Sequence, residues 1–366
     1  MRHSRIPLAL LLLVLATPTG AAQLFVAANH GDSGATVRSF RTKPPWSLRK
    51  PALEIGADSV LHARGNRLFV VSRRQGTVSV IARRAWAVRR TFSLGAASQP
   101  QDIVVLGRDL AFVTTGQSPH LLRFDPMTGT FVNAVDLSVF ADDDGNPDLG
   151  RMIRVGTRLL VQVRRANEEA PGGLASPSYL AVVDLPTLTL VDVDPLEPGV
   201  QAIKLDGTAP KHRMQILAGT SRLFVSATGT SFDAGGIEEI DLDMFATRGL
   251  VVREDDGLTG ADLGPFVLLN ENRGYLVFTT DLTLSSHLDR FGLDTGVAEN
   301  ANIHVSVDYA VPEFGFDALP GLLFVPDGSF DAHGVHVFGV ETDEKLTPTA
   351  LDTGGPPTDV LVVRRR

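Results

Sequence analysis

The chain has 366 residues, 43% of them hydrophobic, with a formal net charge of −8 and no cysteine. The lack of cysteine excludes a thiolate nucleophile, a zinc–cysteine site, an iron–sulfur cluster and any disulfide, so ordinary core packing must hold the fold together. The acidic balance argues against non-specific binding to nucleic acid, because phosphate contacts require a surplus of lysine and arginine.

The first 22 residues have the pattern of a secretory signal peptide. Arg2 and Arg5 form a basic start, an apolar run extends from Leu8 to Ala16, and small residues at 20–22 suit cleavage. The apolar run is too short for a permanent membrane span, although an N-terminal anchor is the alternative. No later segment is long and apolar enough to cross a membrane. We expect residues 23–366 to be exported, either to the periplasm or to the extracellular space.

The rest of the chain repeats one strand pattern. Its clearest copy is Gly65–Ser72, where a Gly-Asn turn leads into an apolar, β-branched run, and a further run follows at Gly76–Ile81. Successive copies begin about 42 to 63 residues apart, a spacing typical of propeller blades. The other copies of the strong strand are Leu24–Ala27, Asp109–Thr114, Arg158–Val161, Arg222–Ser226, Gly274–Phe278 and Gly321–Val325.

The two ends of the repeat region indicate how it closes. Each copy fits a blade of four strands in which the strong strand is second from the centre. The region begins with such a second strand at Leu24, whereas Pro357–Val363 has the pattern of a first strand with no blade behind it. Pairing these two segments would complete a ring without an open sheet edge. The sequence therefore predicts an all-β fold, a seven-bladed β-propeller over residues 23–366, with six or eight blades as the alternatives.

These repeats resemble the YVTN-type β-propeller repeats of bacterial exported and surface-layer proteins. The Tyr-Val-Thr-Asn signature has counterparts in Phe-Val-Val-Ser at Phe69–Ser72 and Phe-Val-Thr-Thr at Phe112–Thr115, and the Asp-x-x-Thr-Gly turn is present at Asp125–Gly129. The resemblance extends over essentially all of residues 23–366. It implies the propeller fold and export, and it says little about activity, because the motif marks an architecture.

One face of the predicted propeller carries the long loops. The segments between second and third strands and between blades both open on this face, and long loops on a rigid scaffold are where binding residues usually lie. Two of these loops repeat each other 98 residues apart, at Ser231–Gly236 and Ser329–Gly334. Asp233, Asp331 and His333 are therefore candidate ligand contacts. The alternative is that each aspartate hydrogen-bonds the backbone of its own loop.

A second group of candidates surrounds the mouth of the central channel on the same side. Arg151 and Arg213 each begin an innermost strand and each precede a methionine. Polar side chains at such positions would contact a small ligand or an anionic partner, or alternatively water and each other. The full predicted set at this mouth is Gln101, Asp102, Arg151, His212, Arg213 and Asp359.

The segment 142–148 carries side-chain oxygens at alternate positions. They belong to Asp142, Asp144, Asn146 and Asp148, and calcium, which takes six to eight oxygen ligands, suits such a loop. The loop departs from an EF-hand in the position of its glycine and in lacking the final glutamate. A calcium site is thus a prediction, with a solvated acidic turn as the alternative. The histidines on the long-loop side lie in different blades and offer no pair at the spacing of transition-metal ligands.

Enzyme signatures are mostly missing. There is no Gly-x-Ser-x-Gly elbow, no His-Glu-x-x-His motif and no phosphate-cradling glycine loop. The sequence favours a non-catalytic exported propeller that binds a protein or an extracellular small molecule through its long-loop face. A lactonase-like hydrolase that uses the channel-mouth residues is the alternative from another class. A metal-handling or electron-transfer accessory protein is a third.

Overall fold

The computed structural model describes nine segments of the chain. They comprise residues 22–30, 34–165, 177–227, 235–254, 261–280, 285–299, 301–306, 317–329 and 331–364. The predicted signal segment lies outside them except for Ala22, and so does the predicted ligand contact Asp233. Within these segments, no helix has the length and apolar character needed to cross a membrane.

The described strands form seven antiparallel sheets, the blades of a ring. Blade 1 contains β1 (Gln23–His30), β2 (Gly34–Arg41) and β3 (Leu48–Gly56). Blade 2 contains β4 (Ser59–Arg64), β5 (Arg67–Ser72), β6 (Thr77–Ala82) and β7 (Ala87–Ser93). Blade 3 contains β8 (Pro100–Val105), β9 (Ala111–Thr115), β10 (His120–Phe124) and β11 (Phe131–Asp136). Blade 4 contains β12 (Leu149–Val155), β13 (Arg158–Val163), β14 (Tyr179–Asp184), β15 (Thr189–Leu190) and β16 (Ile203–Lys204).

The remaining blades follow the same order from the channel outward. Blade 5 contains β17 (Gln215–Ile216), β18 (Arg222–Ala227), β19 (Gly236–Asp241) and β20 (Ala246–Arg253). Blade 6 contains β21 (Ala261–Asn270), β22 (Arg273–Thr280), β23 (Ser286–Phe291) and β24 (His304–Ser306). Blade 7 contains β25 (Asp317–Leu319), β26 (Leu322–Asp327) and β27 (Gly334–Gly339), and β28 (Pro357–Val363) then returns to blade 1. Two short 3-10 turns, Ala96–Ser98 and Ser138–Phe140, lie between blades.

A phenylalanine followed by a valine recurs in the second strand of five blades and anchors their cores. Neighbouring blades cover both faces of a second strand, so its sequence is a continuous apolar run rather than an alternating one. In β5 every residue after Arg67 is buried, whereas most of the outer strand β7 is exposed. The recurring side chains, all buried, are Phe25, Phe69, Phe112, Phe224 and Phe324.

The C-terminal strand closes the ring, as the sequence predicted. β28 pairs antiparallel with β1, with Gln23 opposite Val363 and Val26 opposite Val360. Val360 is completely buried in a cluster with residues of blades 1 and 7. Blade 1 therefore joins the two ends of the described chain in one sheet, and the seven-bladed prediction is confirmed.

Strand direction separates the connections into two faces. The turns from first to second and from third to fourth strands leave one face, which we call the short-turn face; the two-residue turn Gly65–Asn66 is an example. Gly65 has φ +56° there, a conformation that glycine adopts readily. The loops from second to third strands and the crossings between blades leave the opposite, long-loop face. This topology places Asp331, His333 and the segment 142–148 together on the long-loop face.

Candidate functional site

The predicted channel-mouth residues form a buried layer of charges that links the blades. Asp102 lies near the start of β8, Arg151 near the start of β12, and Asp359 near the start of β28, with exposures of 2%, 4% and 0%. Arg213 lies just ahead of β17. Inner strands converge on the channel, and for this reason residues distant in sequence meet here.

Asp102 connects blades 2, 3 and 4. Its Oδ2 accepts a hydrogen bond from the Met152 N–H at 2.7 Å, and its Oδ1 lies 2.5 Å from Nε2 of His62 and 3.8 Å from Nη1 of Arg151. Burial pushes the pKa of Asp102 upward, but His62, Arg151 and the Met152 N–H outweigh it, and the pKa lies below its usual value. Asp102 is therefore an anion held by three neighbours.

Asp359 and Arg213 form a second link that crosses the channel. Arg213 Nη2 donates to Asp359 Oδ2 at 2.6 Å, and Nη1 donates to the Val360 carbonyl at 2.9 Å. The same Oδ2 accepts from the Leu61 N–H at 2.7 Å. Burial raises the pKa of Asp359, although Arg213 and Arg151 oppose this. Burial likewise lowers the pKa of Arg151, against the attraction of Asp102 and Asp359. The pair ties blade 5 to blades 1 and 2.

Gln101 and His212, the other two predicted residues of this mouth, accept hydrogen bonds from side chains of other segments. The Gln101 side-chain oxygen accepts from Arg73 Nη1 at 3.2 Å, and the Gln101 carbonyl accepts from Arg151 Nη1 at 3.2 Å. The His212 carbonyl accepts from Gln162 Nε2 at 3.1 Å. The structure thus brings all six predicted residues into one region. Their polar atoms form hydrogen bonds and ion pairs with each other and with backbone groups. Ligand binding by this layer stays a prediction.

A cavity of about 1160 Å³ opens at the channel end on the short-turn face. His62, Ile103 and Met152 line its inner part. Because β4, β8, β12 and β28 all end at this face, the residues at their C-terminal ends surround the opening. Among the described residues, its lining contains no aspartate or glutamate but seven basic residues: Arg49, Lys50, Arg64, Arg83, Arg84, Arg154 and Arg364.

These basic groups are mostly not neutralised by carboxylates. Among the described residues, six of the seven basic residues, all except Arg83, have no carboxylate oxygen within 4.0 Å. Arg64 Nη1 donates to the Val105 carbonyl at 2.7 Å, and Arg154 Nε donates to the Gly156 carbonyl at 2.8 Å. Arg83 donates to the side-chain oxygen of Gln23 at 2.7 Å. Guanidinium groups held by backbone carbonyls keep their charge, so the cavity is positive.

A smaller cavity of about 600 Å³ extends the positive region across blades 2 and 3. It shares Arg64 with the first cavity and again has no acidic residue in its lining. Its further basic residues are Arg67, Arg89, Arg90 and Arg108. The two cavities together form a basic region of the short-turn face, in a chain whose net charge is −8.

Neither cavity was predicted from the sequence. The sequence signal for the two cavities was a set of arginine pairs in blade 2, Arg83-Arg84 in the turn after β6 and Arg89-Arg90 in β7. The net charge of the chain is acidic and gives no hint of this signal. The basic residues of the two cavities come from blades 1 to 4, which only the closed ring brings together.

The predicted residues of the long-loop face are only partly described. Asp331 is exposed and His333 is half-buried, in the loop that connects β26 to β27. Asp233, its predicted counterpart, lies outside the described residues, so the predicted pair of carboxylates stays a prediction.

In the acidic loop, the side-chain oxygens cap backbone N–H groups of the same loop. Asp144 Oδ1 accepts from the Asn146 N–H at 2.7 Å, and Asn146 Nδ2 donates to Asp148 Oδ1 at 3.0 Å and to the Gly116 carbonyl at 2.7 Å. Burial, followed by repulsion from Asp144, raises the pKa of Asp142. Within the described part of the chain, these carboxylates are not gathered into a three-ligand cluster. The contacts suit the acidic-turn alternative, and calcium binding stays a prediction.

Comparison with known proteins gives structural neighbours only. Neither a protein-family model nor a curated protein matches the chain. A candidate 6-phosphogluconolactonase from Bacteroides fragilis is 11% identical at a TM-score of 0.62, over 95% of this chain and 99% of that one. A functionally unknown protein from Desulfotomaculum acetoxidans is 13% identical at 0.58, over 94% and 100%. Apo AztD from Citrobacter koseri is 12% identical at 0.55, over 94% and 98%.

The likeness shows the propeller fold. Identities this low carry no information on activity, because propellers with the same architecture perform unrelated functions. Since no family model matches, membership of the YVTN-type repeat family stays a prediction.

Proposed function

We propose that this propeller is a non-catalytic binding module that holds a small polyanion in the basic cavity of the short-turn face. The observation that carries the proposal is a lining with seven basic residues and no acidic one. Export, inferred from the N-terminal segment, would make the ligand an extracytoplasmic molecule. The sequence instead predicted that the long-loop face binds a protein or an extracellular small molecule, and binding by that face stays a prediction.

Size and charge both support a small, multiply charged ligand. Sites for small molecules have volumes of roughly 300 to 1,000 Å³, so a cavity of about 1160 Å³ holds such a molecule with some water. Arginine presents a planar fork of donors that matches carboxylate and phosphate groups. A positive cavity with low-dielectric walls also concentrates anions from solution.

Charge reversal at the cavity rim is the direct test. Arg64 and Arg154 are exposed and come from blades 2 and 4, so Arg64→Glu combined with Arg154→Glu should leave the core intact. We expect the double variant to bind inorganic pyrophosphate or citrate at least about tenfold more weakly, since a hydrogen bond to a charged group contributes about 1.5–3 kcal/mol. Isothermal titration calorimetry at low and at moderate salt measures the affinity and how much salt weakens it.

Arg123→Glu is the matched control. Arg123 is an exposed arginine of β10 that lines neither cavity, so its reversal makes the charge change of one of the two rim substitutions at a position elsewhere on the protein. The affinity of the Arg123→Glu variant for the two anions should stay within about twofold of that of the unmodified protein, because salt screens the interaction between distant exposed charges. No binding of either anion at low salt, or equal losses in the control and the double variant, would contradict the proposal.

A hydrolase is the second candidate, and the contact between His62 and Asp102 favours it. His62 lines the cavity, and its Nε2 lies 2.5 Å from a buried carboxylate. A carboxylate in this position orients an imidazole that acts as a general base, as lactone hydrolysis would require.

The test of this candidate is lactone hydrolysis by the unmodified protein and by His62→Gln. If the candidate is correct, acidic sugar lactones are hydrolysed, and His62→Gln lowers the rate by about 10²-fold or more while anion binding persists. Arg123→Glu again serves as the control and should keep full activity. Binding without any hydrolysis excludes this candidate and leaves the binding module in place.

A further inference from the structure

Two histidines and one aspartate from neighbouring blades converge at a place that includes none of the channel-mouth residues. His304 belongs to β24 of blade 6, whereas Asp327 ends β26 and His336 lies in β27 of blade 7. Their side chains are 11%, 4% and 8% exposed. One ligand atom from each lies within 4.8 Å of the others. Among the described residues, this is the cluster whose composition and spacing suit a metal ion.

Asp327 is held so that one oxygen points at both imidazoles. Its Oδ1 accepts hydrogen bonds from the Ser329 N–H at 2.9 Å and the Ser329 hydroxyl at 2.6 Å. Its Oδ2 lies 2.8 Å from Nε2 of His304 and 3.7 Å from Nε2 of His336. A carboxylate fixed by supporting hydrogen bonds is the usual arrangement around a bound metal.

His336 lacks a hydrogen bond that would explain its buried position. Its Nδ1 is buried and has no hydrogen-bond partner among the described residues, and the 3.7 Å between Nε2 and Asp327 exceeds hydrogen-bond distance. The ring instead packs against Phe338 and lies edge-on to His304, with centroids 4.8 Å apart. A buried imidazole normally has a polar partner, and here Nε2 faces the carboxylate and the other imidazole.

We propose that His304, Asp327 and His336 form a binding site for a divalent transition metal of the zinc type. Two imidazole nitrogens and one carboxylate oxygen are ligands that zinc prefers, and three protein ligands leave a fourth position for water. Metal–ligand bonds of about 2.0–2.1 Å at tetrahedral angles separate neighbouring ligand atoms by about 3.3 Å. The observed separations of 2.8 and 3.7 Å lie on either side of that value. The ion would join β24 of blade 6 to β26 and β27 of blade 7.

The experiment uses protein stripped with a chelator and carrying no polyhistidine tag. We expect equilibrium dialysis to retain one zinc ion per chain, and cobalt to give the visible absorption of a tetrahedral site. His336→Ala and Asp327→Asn should each weaken zinc binding by at least about 100-fold. Zinc should also raise the melting temperature of the unmodified protein and not that of the variants.

His287→Ala is the matched control. His287 belongs to β23 of the same blade, stacks on Phe278 and contacts Asn302 rather than Asp327. It should retain stoichiometric zinc with unchanged affinity. If His336→Ala fails to fold, His336→Gln, which is closer in size, replaces it. The proposal is overturned if the unmodified protein retains no stoichiometric zinc, or if His287→Ala loses the ion to the same extent as His336→Ala.

Discussion

Truncation before Pro357 is expected to destabilise the entire protein, although it removes only one described strand. The truncated chain loses β28, and with it the inner partner of β1, the buried Val360 and the buried Asp359. Burial of a valine contributes about 1.5–3 kcal/mol, and loss of one partner from a buried ion pair costs about 3–5 kcal/mol. Together these contributions amount to about 4.5–8 kcal/mol, comparable with the entire stability of many proteins. Urea denaturation followed by tryptophan fluorescence measures the change.

A shorter truncation distinguishes the effect of opening the ring on stability from the effect of removing residues at the C-terminal end. Ending the chain after Val363 removes the exposed Arg364 and keeps every strand pair of blade 1. Its urea midpoint should match that of the full chain. A peptide spanning 357–364, added to the longer truncation, should restore part of the lost stability, because β1 keeps its unpaired edge. Equal midpoints for both truncations would show that the ring does not depend on β28.

The fold could be predicted because the sequence repeats its strongest signal. Second strands are buried on both faces, so copies such as Phe69–Ser72 and Phe112–Thr115 stand out as apolar runs. Closure was predictable for the same reason, since Leu24 began a second strand with no first strand before it. The outer strands were harder to locate, because exposed strands such as β7 follow no strict apolar pattern.

The channel layer could be predicted by position but not by chemistry. The template put Asp102, Arg151 and Asp359 at the starts of inner strands, and they are found there. It could not say which charges would pair, because Arg213 and Asp359 are 146 residues apart and meet only across the ring. His62, the closest contact of Asp102, was not among the predicted residues.

The basic cavity and the histidine cluster required the structure. Sequence arguments for a site concentrated on long loops, whereas the basic residues belong to short turns and strand ends. His304 and His336 belong to strands of adjacent blades, and their distance depends on how those blades pack. Periodicity within one strand carries no information about such a contact.

Asp359→Ala is expected to cost about 3–5 kcal/mol of unfolding free energy. The substitution leaves Arg213 facing the channel without its carboxylate and leaves the buried N–H of Leu61 without its acceptor. An isolated charge and an unsatisfied donor both carry large penalties in a low-dielectric interior. The loss should appear as a lower urea midpoint with an unchanged slope, since the surface exposed on unfolding is nearly the same.

Two comparisons test whether the loss of stability in Asp359→Ala comes from the buried pair of Arg213 and Asp359. Asp352 pairs with Arg38 at 3.3 Å but is 83% exposed, so Asp352→Ala should cost less than about 1 kcal/mol. Combining Asp359→Ala with Arg213→Met should cost less than the sum of the two single changes, because the second removes the stranded charge. Additive losses would mean that Arg213 and Asp359 act independently, and the layer would then not link blade 5 to blade 1.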